Sequence, residues 1–168
     1  MVKKSRKAGV PGSNPGRGSF HSHHVAALNA FTCARRSPLA VMKKKEIAFL
    51  DGRELARLAT VSKDLMPHVI PVMYAMNGEK VIVAVDYGTK KLENMKANPK
   101  VALVVDDYEP NRAVFIQGTC EILERGPEYL RLLNILFKRF ETYRNNPWTE
   151  GESPILSITP LKVVSWGL

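Results

Sequence analysis

Two short apolar runs rich in valine, separated by one short helical segment, constrain the fold of this chain more than any other feature. Residues 81–85 (VIVAV) and 101–105 (VALVV) consist mainly of β-branched residues, a composition typical of buried strands. Residues 90–97 between them have the apolar spacing of a helix. This helix should end near Asn98, because Pro99 disfavours the helical conformation in the residue before it. The sequence therefore predicts a strand, a tight turn, a short helix and a second strand.

The turn that opens this helix, residues 86–91, carries two adjacent lysines. Lys90 and Lys91 lie in the first helical turn, where the positive end of the helix dipole disfavours a cation by roughly 0.3–1 kcal/mol. A bound anion reverses this cost, and the first-turn N–H groups, the Thr89 hydroxyl and the two ammonium groups would together suit a phosphate. A solvated surface turn explains the same residues, so the turn alone leaves both interpretations open.

Further apolar segments, separated mostly by short turns, predict the remaining strands. Asn77-Gly78 is a strong hairpin signal, and Gly118, inside a long extended segment, predicts a bulge or a close backbone approach. The additional predicted strands are residues 56–62, 67–75, 113–123 and 155–166, the last of them interrupted at Pro160. Such meander connections argue for a mainly β fold with helices (α+β), a Greek-key-like six-stranded antiparallel barrel with covering helices.

Two amphipathic helices complete the predicted domain. Residues 43–50 place Ile47 and Leu50 on one side. Pro127 opens a longer helix, in which apolar residues recur at steps of three and four. These residues are Tyr129, Leu130, Leu133, Leu136, Phe137 and Phe140, and Asn145-Asn146-Pro147 ends the helix. The sequence leaves open whether this apolar face packs on its own chain or contributes to a subunit interface.

The net charge of +9 would suit a nucleic-acid-binding protein, but it is concentrated at one end of the chain. Residues 1–41 contain seven basic residues and no acid, which leaves 18 basic and 16 acidic residues in a domain predicted over residues 42–168. The Gly- and Pro-rich composition of residues 1–41 predicts a disordered basic leader. It could be an organelle-targeting peptide, a tail that touches nucleic acid or membrane, or the product of a start placed upstream of Met42. The third explanation is favoured, because the segment has no amphipathic helix of the kind a transit peptide needs.

Few residues of the predicted domain suggest metal or nucleophilic chemistry. His68 is its only histidine, and Cys33 and Cys120 form neither a metal-ligand spacing nor a disulfide framework. No apolar stretch reaches the roughly 18 residues of a membrane helix, and no Rossmann or P-loop motif follows a strand. A metal site at the three leader histidines is disfavoured by the glycine-rich segment around them. We therefore expect a cytoplasmic protein without a bound metal and without a nucleic-acid or membrane partner.

Several motifs after Glu46 occur in one characteristic arrangement. They are Ala59-Thr60, Pro67, Thr89-Lys90-Lys91, Asn98-Pro99, Asn111-Arg112, Gly118 and Pro160 through Trp166-Gly167. With them, the sequence from Glu46 to its C-terminus resembles the split-barrel flavin-binding family that includes pyridoxamine 5′-phosphate oxidase, and more closely the shorter relatives that bind FMN or the deazaflavin coenzyme F420. The resemblance implies a split β-barrel of the FMN-binding type, closed by a second subunit.

The resemblance also implies which residues bind the cofactor. In the oxidase the corresponding turn is Ser-Arg-Lys and holds the FMN phosphate, a role that passes here to Thr89, Lys90 and Lys91. Trp166 would pack beside the flavin of the neighbouring subunit. The ring and ribityl chain would lie along Arg57, Ala59, Thr60, Val61, His68, Val69, Ile70, Pro71 and Val72. Weaker candidates for the pocket rim are Tyr74, Tyr87 and Arg112.

Three departures from the oxidase narrow the expected activity. Ile70 replaces an arginine that reaches the phosphate, and Ala113 replaces a glutamine that contacts the flavin. The oxidase continues into a basic arm that holds pyridoxal phosphate, whereas this sequence ends at Leu168. Oxidation of pyridoxamine phosphate is therefore not expected. His68 alone does not offer the histidine that haem-degrading relatives recruit from outside the barrel.

The resemblance leads us to expect an FMN-binding oxidoreductase that passes hydride between NAD(P)H and an unidentified small acceptor, as a homodimer with the cofactor at its interface. A flavin does this without an amino-acid nucleophile, and no catalytic residue is assigned. One alternative is a deazaflavin (F420)-dependent reductase, whose polyglutamate tail would need a basic groove formed by Lys90, Lys91, Lys96 and Arg112. Another is a non-catalytic flavin-binding protein, and a nucleic-acid role of the leader is a fourth possibility.

Overall fold

The computed structural model describes residues 40–168, which form four helices and seven strands. In chain order these are α1 (Lys44–Asp51), β1 (Leu55–Val61), β2 (Pro67–Met73), β3 (Ala75–Asn77), β4 (Lys80–Ala84), α2 (Lys90–Ala97), β5 (Lys100–Asp107), β6 (Arg112–Leu123), α3 (Pro127–Arg139), α4 (Glu141–Asn145) and β7 (Ile155–Trp166). The predictions for the leader, including Cys33 and the histidines His21, His23 and His24, fall on residues 1–39, outside the described part.

All seven strands belong to one curled antiparallel sheet in the order β2-β1-β5-β6-β7-β4-β3. This confirms the α+β class and the antiparallel split barrel. The sheet has a seventh strand beyond the six of the expected barrel, because the predicted strand 67–75 divides at Tyr74. The N–H of Tyr74 leaves the ladder and donates to the Glu54 carbonyl oxygen (3.1 Å). β3 then turns back into β4 at Gly78, whose φ of +62° suits the hairpin turn predicted there.

The long β6–β7 pair contains the bulge predicted at Gly118. Gln117 lies opposite Lys162 and Gly118 opposite Pro160, so Leu161 is the extra residue on β7. β7 runs through Pro160 without a break, which contradicts the predicted interruption. Because a bulge leaves one residue out of the ladder, it tolerates the missing N–H of proline.

Two apolar cores lie on opposite faces of the sheet. The inner core fills the barrel and includes Leu58, Leu103, Val114 and Ile116, each at most 1% exposed. The second core lies where α3 covers the outer face of β3, β4 and β7, and it comprises Ala75, Ile82, Tyr129, Leu132, Leu133, Leu136, Phe140 and Ile155. The apolar face of α3 therefore packs on its own chain. Leu130, predicted to face inward, is 51% exposed, and the helix ends at Arg139 before the short α4.

The other half of the outer sheet face, on β2, β1, β5, β6 and the end of β7, is not covered by any helix of residues 40–168. We call this surface the open face and define it by Leu55, Val69, Phe115, Val164 and Trp166. All but the partly buried Phe115 are between 42% and 63% exposed. Within residues 40–168, no helix has the length and apolar character needed to span a membrane.

A three-residue ion network joins the segment after α1 to the C-terminal end of β5 and the N-terminal end of β6. The guanidinium groups of Arg53 and Arg112 both bind the Asp107 carboxylate, the second at 2.6 Å, and Arg53 stacks on the Phe49 ring 3.5 Å from its centroid. Hydrogen bonds from Arg53 and then Arg112 lower the pKa of Asp107 to about 2.

This network should make stability depend on pH in acid. Because the folded pKa of Asp107 lies below its ordinary value of 3.8, its contribution is present above about pH 4 and is lost as the pH falls through about 2. Urea unfolding of the wild type should therefore show a midpoint that falls over this range. Asp107→Asn should unfold at lower urea at neutral pH and approach the wild type near pH 2. Parallel pH curves for the two proteins would contradict this role.

Candidate functional site

The N-terminus of α2 has no side-chain cap. Thr89 is the N-cap residue, but its Oγ1 donates to the Asp86 carbonyl oxygen (2.8 Å) and does not accept from the helix. The N–H groups of Leu92 and Glu93 bond to the Thr89 carbonyl oxygen. The N–H groups of Lys90 and Lys91 have no acceptor within residues 40–168. Two backbone donors at the positive end of a helix are therefore left free for an anion.

The two lysines of this turn differ in their surroundings. Lys90 Nζ lies 3.5 Å from the Glu93 carboxylate, so its charge is partly compensated. Lys91 is less exposed than Lys90 and forms no ion pair with any residue of the described part. Of the two, Lys91 is therefore the better phosphate ligand. The prediction from sequence gave both lysines the same role, because a sequence does not show which carboxylate lies close to each ammonium group.

A buried hydrogen bond fixes α2 against the sheet. Asn94 Nδ2 donates to Thr60 Oγ1 on β1 (3.0 Å), and both side chains are at most 2% exposed. Between α2 and the β1–β2 turn lies a cleft of about 570 Å³. It is lined by Ser62, Lys63, Asp64, Lys90, Glu93, Asn94, Lys96 and Ala97. Asn94 was not predicted as a site residue, because no local sequence signal distinguishes a mid-helix asparagine that bonds to a strand from one that faces solvent.

Strand alternation divides the predicted cofactor residues of β1 and β2 between two faces. Pairing across the two strands puts Thr60 opposite His68, Leu58 opposite Ile70 and Ala56 opposite Val72. These residues face the barrel interior, and the Thr60 and Val72 side chains are buried there. The outward-facing residues are Arg57, Ala59, Val61, Val69 and Pro71. Only this second group can present side chains to a ligand on the open face.

His68 is the inward-facing residue with an unsatisfied polar atom. Its Nδ1 is buried and has no hydrogen-bond partner among residues 40–168. His68 lies opposite Thr60, which binds Asn94 of α2, and Lys91 precedes Asn94 by one helical turn. His68 is therefore on the side of the sheet that α2 covers.

Arg57 and Trp166 lie in one row across the strands of the open face, near the end of the sheet that is remote from α2. Arg57 pairs with the Asp106 carboxylate, Asp106 lies opposite Ala113, and Ala113 lies opposite Trp166. Trp166 Nε1 donates to Asn111 Oδ1 (2.9 Å), which fixes the indole at the surface. Arg112, held by Asp107, is at this same end.

This row is well separated from the α2 turn within one chain. α2 meets β1 at Thr60, next to the Ala59–Ala102 pair. Asp106 is four residues further along β5, or about 13 Å along the strand. The structure thus brings the turn together with Thr60 and His68, but does not bring Arg57, Arg112 or Trp166 to it.

Two aromatic candidates for the pocket rim have different outcomes. Tyr74 is fully buried and its hydroxyl donates to the Leu50 carbonyl oxygen (2.6 Å), so it belongs to the core and the rim prediction is wrong. Burial raises the pKa of this phenol. Tyr87 is 42% exposed beside the turn, with Lys96 Nζ 5.9 Å from its ring centroid.

No group of three or more potential metal-ligating side chains occurs within residues 40–168. Burial also raises the pKa of the Cys120 thiol to about 12, so this cysteine stays protonated at neutral pH and is a poor nucleophile. The site therefore offers anion-binding donors and an apolar face, and its described residues offer no reactive thiol.

The sequence pattern of the pyridoxamine 5′-phosphate oxidase family matches residues 42–167. The chain belongs to this family. Among its curated relatives is a 5a,11a-dehydrotetracycline/5a,11a-dehydrooxytetracycline reductase of Streptomyces rimosus. The two are 31% identical over 134 residues, which cover 74% of this chain and 82% of the reductase. The family membership expected from the sequence motifs is thus confirmed.

Solved structures of similar fold include proteins with different activities. HutZ, a haem storage protein of Vibrio cholerae, superposes with a TM-score of 0.63 at 18% identity, covering 74% of this chain and 94% of that protein. An F420 reductase superposes with a TM-score of 0.58 at 23% identity, covering 73% of this chain and 98% of that protein. At these identities the similarity establishes the split-barrel fold of the family and leaves the ligand undetermined.

Proposed function

We propose that this family member is an FMN-dependent oxidoreductase, which passes hydride between NAD(P)H and a small acceptor. The observation that carries the proposal is the uncapped start of α2, where two backbone N–H groups have no acceptor and the Lys91 ammonium group has no carboxylate partner within residues 40–168. This donor set suits a phosphate monoester. The reductase of Streptomyces rimosus, which shares the family and most of the chain length, supports an oxidoreductase over a passive binding protein.

FMN bound here would supply hydride acceptance and donation, and the residues of the chain would bind and orient it. The N–H groups of Lys90 and Lys91 and the Lys91 ammonium group would hold the phosphate. The proton of the Thr89 hydroxyl is already donated to Asp86, so Thr89 would donate to phosphate only after rotating. The backbone of β1 and β2, with outward-facing side chains such as Ala59 and Val69, would orient the ribityl chain and ring.

The proposed site requires two chains. Trp166 lies at the other end of the sheet from the α2 turn, so a flavin that contacts both needs Trp166 of the partner subunit. The open face also exposes Leu55, Val69 and Val164, an apolar surface that a second copy would cover in an isologous contact. Covering it would exclude water from the flavin ring. We therefore propose a homodimer with two equivalent sites.

The charges beside α2 favour FMN over a deazaflavin with a polyglutamate tail. Such a tail needs a groove with excess positive charge. Lys90 is compensated by Glu93, and Lys96 lies 3.8 Å from the Glu124 carboxylate. Arg112 is at the far end of the sheet, bound to Asp107. Lys91 is the only one of the four expected groove residues that has no carboxylate partner within residues 40–168.

Fluorescence titration of the full chain with FMN and with F420, each alone, tests the cofactor. Lys91→Ala should weaken FMN binding by about 10- to 100-fold, since it removes a charge-assisted hydrogen bond worth roughly 1.5–3 kcal/mol. Lys90→Ala should have a smaller effect, because Lys90 is already paired. Lys96→Ala, in the last turn of the same helix, is the matched control and should leave FMN affinity unchanged.

The outcomes of this titration separate the alternatives. If only F420 binds, and Lys96→Ala weakens its binding, the cofactor is the deazaflavin and not FMN. Binding of FMN without NAD(P)H oxidation by the loaded protein would identify a non-catalytic flavin-binding protein, a role consistent with the haem storage function of one structural neighbour. If neither cofactor binds, the proposal fails.

A further inference from the structure

A small aromatic cleft lies outside the proposed flavin site. It has a volume of about 250 Å³ and is lined by Ala84, Asp86, Tyr143, Trp148, Glu152 and Ser153. These residues come from the end of β4, from α4 and from the loop that precedes β7. None of them is a ligand in the proposed phosphate site, and α3, which anchors the loop, covers the half of the outer sheet face that is not the open face.

The aromatic wall of this cleft is fixed by hydrogen bonds and edge contacts. Trp148 Nε1 donates to the Tyr129 hydroxyl (3.1 Å), which in turn donates to the Ser153 carbonyl oxygen (2.8 Å). The indole meets the rings of Tyr143 and Phe137 edge to face, each with a centroid distance of 4.9 Å. The rings are therefore held in place before any ligand arrives, which lowers the entropic cost of binding.

Among residues 40–168, the charged side chains that line the cleft are both acidic. Asp86 and Glu152 line the cleft, whereas no lysine, arginine or histidine does. Glu152 Oε2 accepts from the N–H and the hydroxyl of Thr149, which lowers the pKa of this carboxyl, and Oε1 has no partner within residues 40–168. The Asp86 carboxylate likewise has no hydrogen bond or ion pair with any described residue. This local excess of acid contrasts with the slight net positive charge of the domain.

We propose that this cleft binds an organic ammonium group. Ring faces attract a cation through their quadrupole, and carboxylates at the rim add direct charge attraction. A hard metal ion such as Ca²⁺ would need six or more oxygen ligands, and the cleft presents two carboxylates and aromatic carbon. An alkylated or primary amine uses both features of the wall. This site does not depend on the flavin and goes beyond the proposed redox function.

Tetramethylammonium chloride, added to the ¹⁵N-labelled full chain, tests the site through the two indole N–H signals of Trp148 and Trp166. The Trp148 signal should shift in a saturable way, with a dissociation constant of about 10 mM, and the Trp166 signal should not. Sodium chloride at equal ionic strength controls for salt. Tert-butyl alcohol, a neutral molecule of nearly the same shape, controls for apolar contact.

Asp86→Asn should weaken tetramethylammonium binding by about fivefold, the effect of removing one nearby charge in water. Glu141→Gln is the matched control, because it removes an exposed carboxylate from α4 outside the cleft, and it should leave the affinity within twofold. The proposal is overturned if Trp148 does not respond, if tert-butyl alcohol shifts it equally, or if Asp86→Asn has no more effect than Glu141→Gln.

Discussion

Val164→Asp is expected to prevent the proposed homodimer from forming and to abolish FMN binding. Val164 is 42% exposed on the open face, on the same side of β7 as Trp166 and opposite Phe115. An isologous contact over this face would bury two copies of the new carboxylate without partners, at a cost of several kcal/mol each. The loss of the dimer would also remove Trp166 of the partner subunit from the flavin.

Sedimentation equilibrium and FMN titration measure the two effects on the same samples. Leu130→Asp is the matched control, because Leu130 is an apolar residue of similar exposure (51%) on α3, outside the open face. It should leave both the mass and the FMN affinity unchanged. A wild-type monomer that still binds FMN, or a Val164→Asp protein that remains dimeric, would refute the proposed interface. Far-UV circular dichroism would verify that each variant is folded.

Gly118→Ala is expected to destabilise the fold by about 3 kcal/mol, because the added methyl group overpacks a closed site. A Cβ at this position would clash with the Thr159 carbonyl oxygen and would lie 3.1 Å from its carbonyl carbon. These atoms belong to the backbone of β7, so no side-chain rotation can relieve the contact. Relief requires β6 and β7 to move apart at the bulge, where they form the longest pairing in the sheet.

Urea unfolding compares this variant with Gln117→Ala, an exposed neighbour on the same strand. Gln117→Ala should stay within about 0.5 kcal/mol of the wild type. The Gly118→Ala midpoint should fall without a change in the denaturant slope, which would show that stability and not compactness has changed. Equal midpoints for the two variants would show that the strands can separate at little cost.

Short-range patterns predicted the elements that position the site. The helix predicted over residues 90–97 is observed as Lys90–Ala97, because its start is marked by Asp86-Tyr87-Gly88 and its end by Pro99. The hairpin at Asn77-Gly78 and the bulge at Gly118 followed from local signals, since Gly78 takes a positive φ and Gly118 has the backbone of Thr159 where a Cβ would lie. The same local logic failed at Pro160, because β7 accommodates the proline beside its own bulge residue Leu161 and continues without a break.

The candidate site was predicted less completely than the fold. Sequence motifs identified the Thr89-Lys90-Lys91 turn and Trp166, but they assigned equal weight to Lys90 and Lys91 and placed Tyr74 at the rim. Ion pairing with Glu93 distinguishes the two lysines, and burial against Leu50 removes Tyr74 from the surface. Both effects depend on neighbours that only folding brings close.

The sequence by itself determined the order of strands and helices, the tight turns and the family, because these depend on residues close together in the chain. The tertiary structure decided which residues of β1 and β2 face outward, that α3 covers only half of the outer sheet face, and that the α2 turn and Trp166 lie at opposite ends. These features depend on strand register. A register shift of one residue would move every side chain of a strand to the opposite face of the sheet. The pairing of distant segments, and not their composition, therefore determines which surface can hold a cofactor.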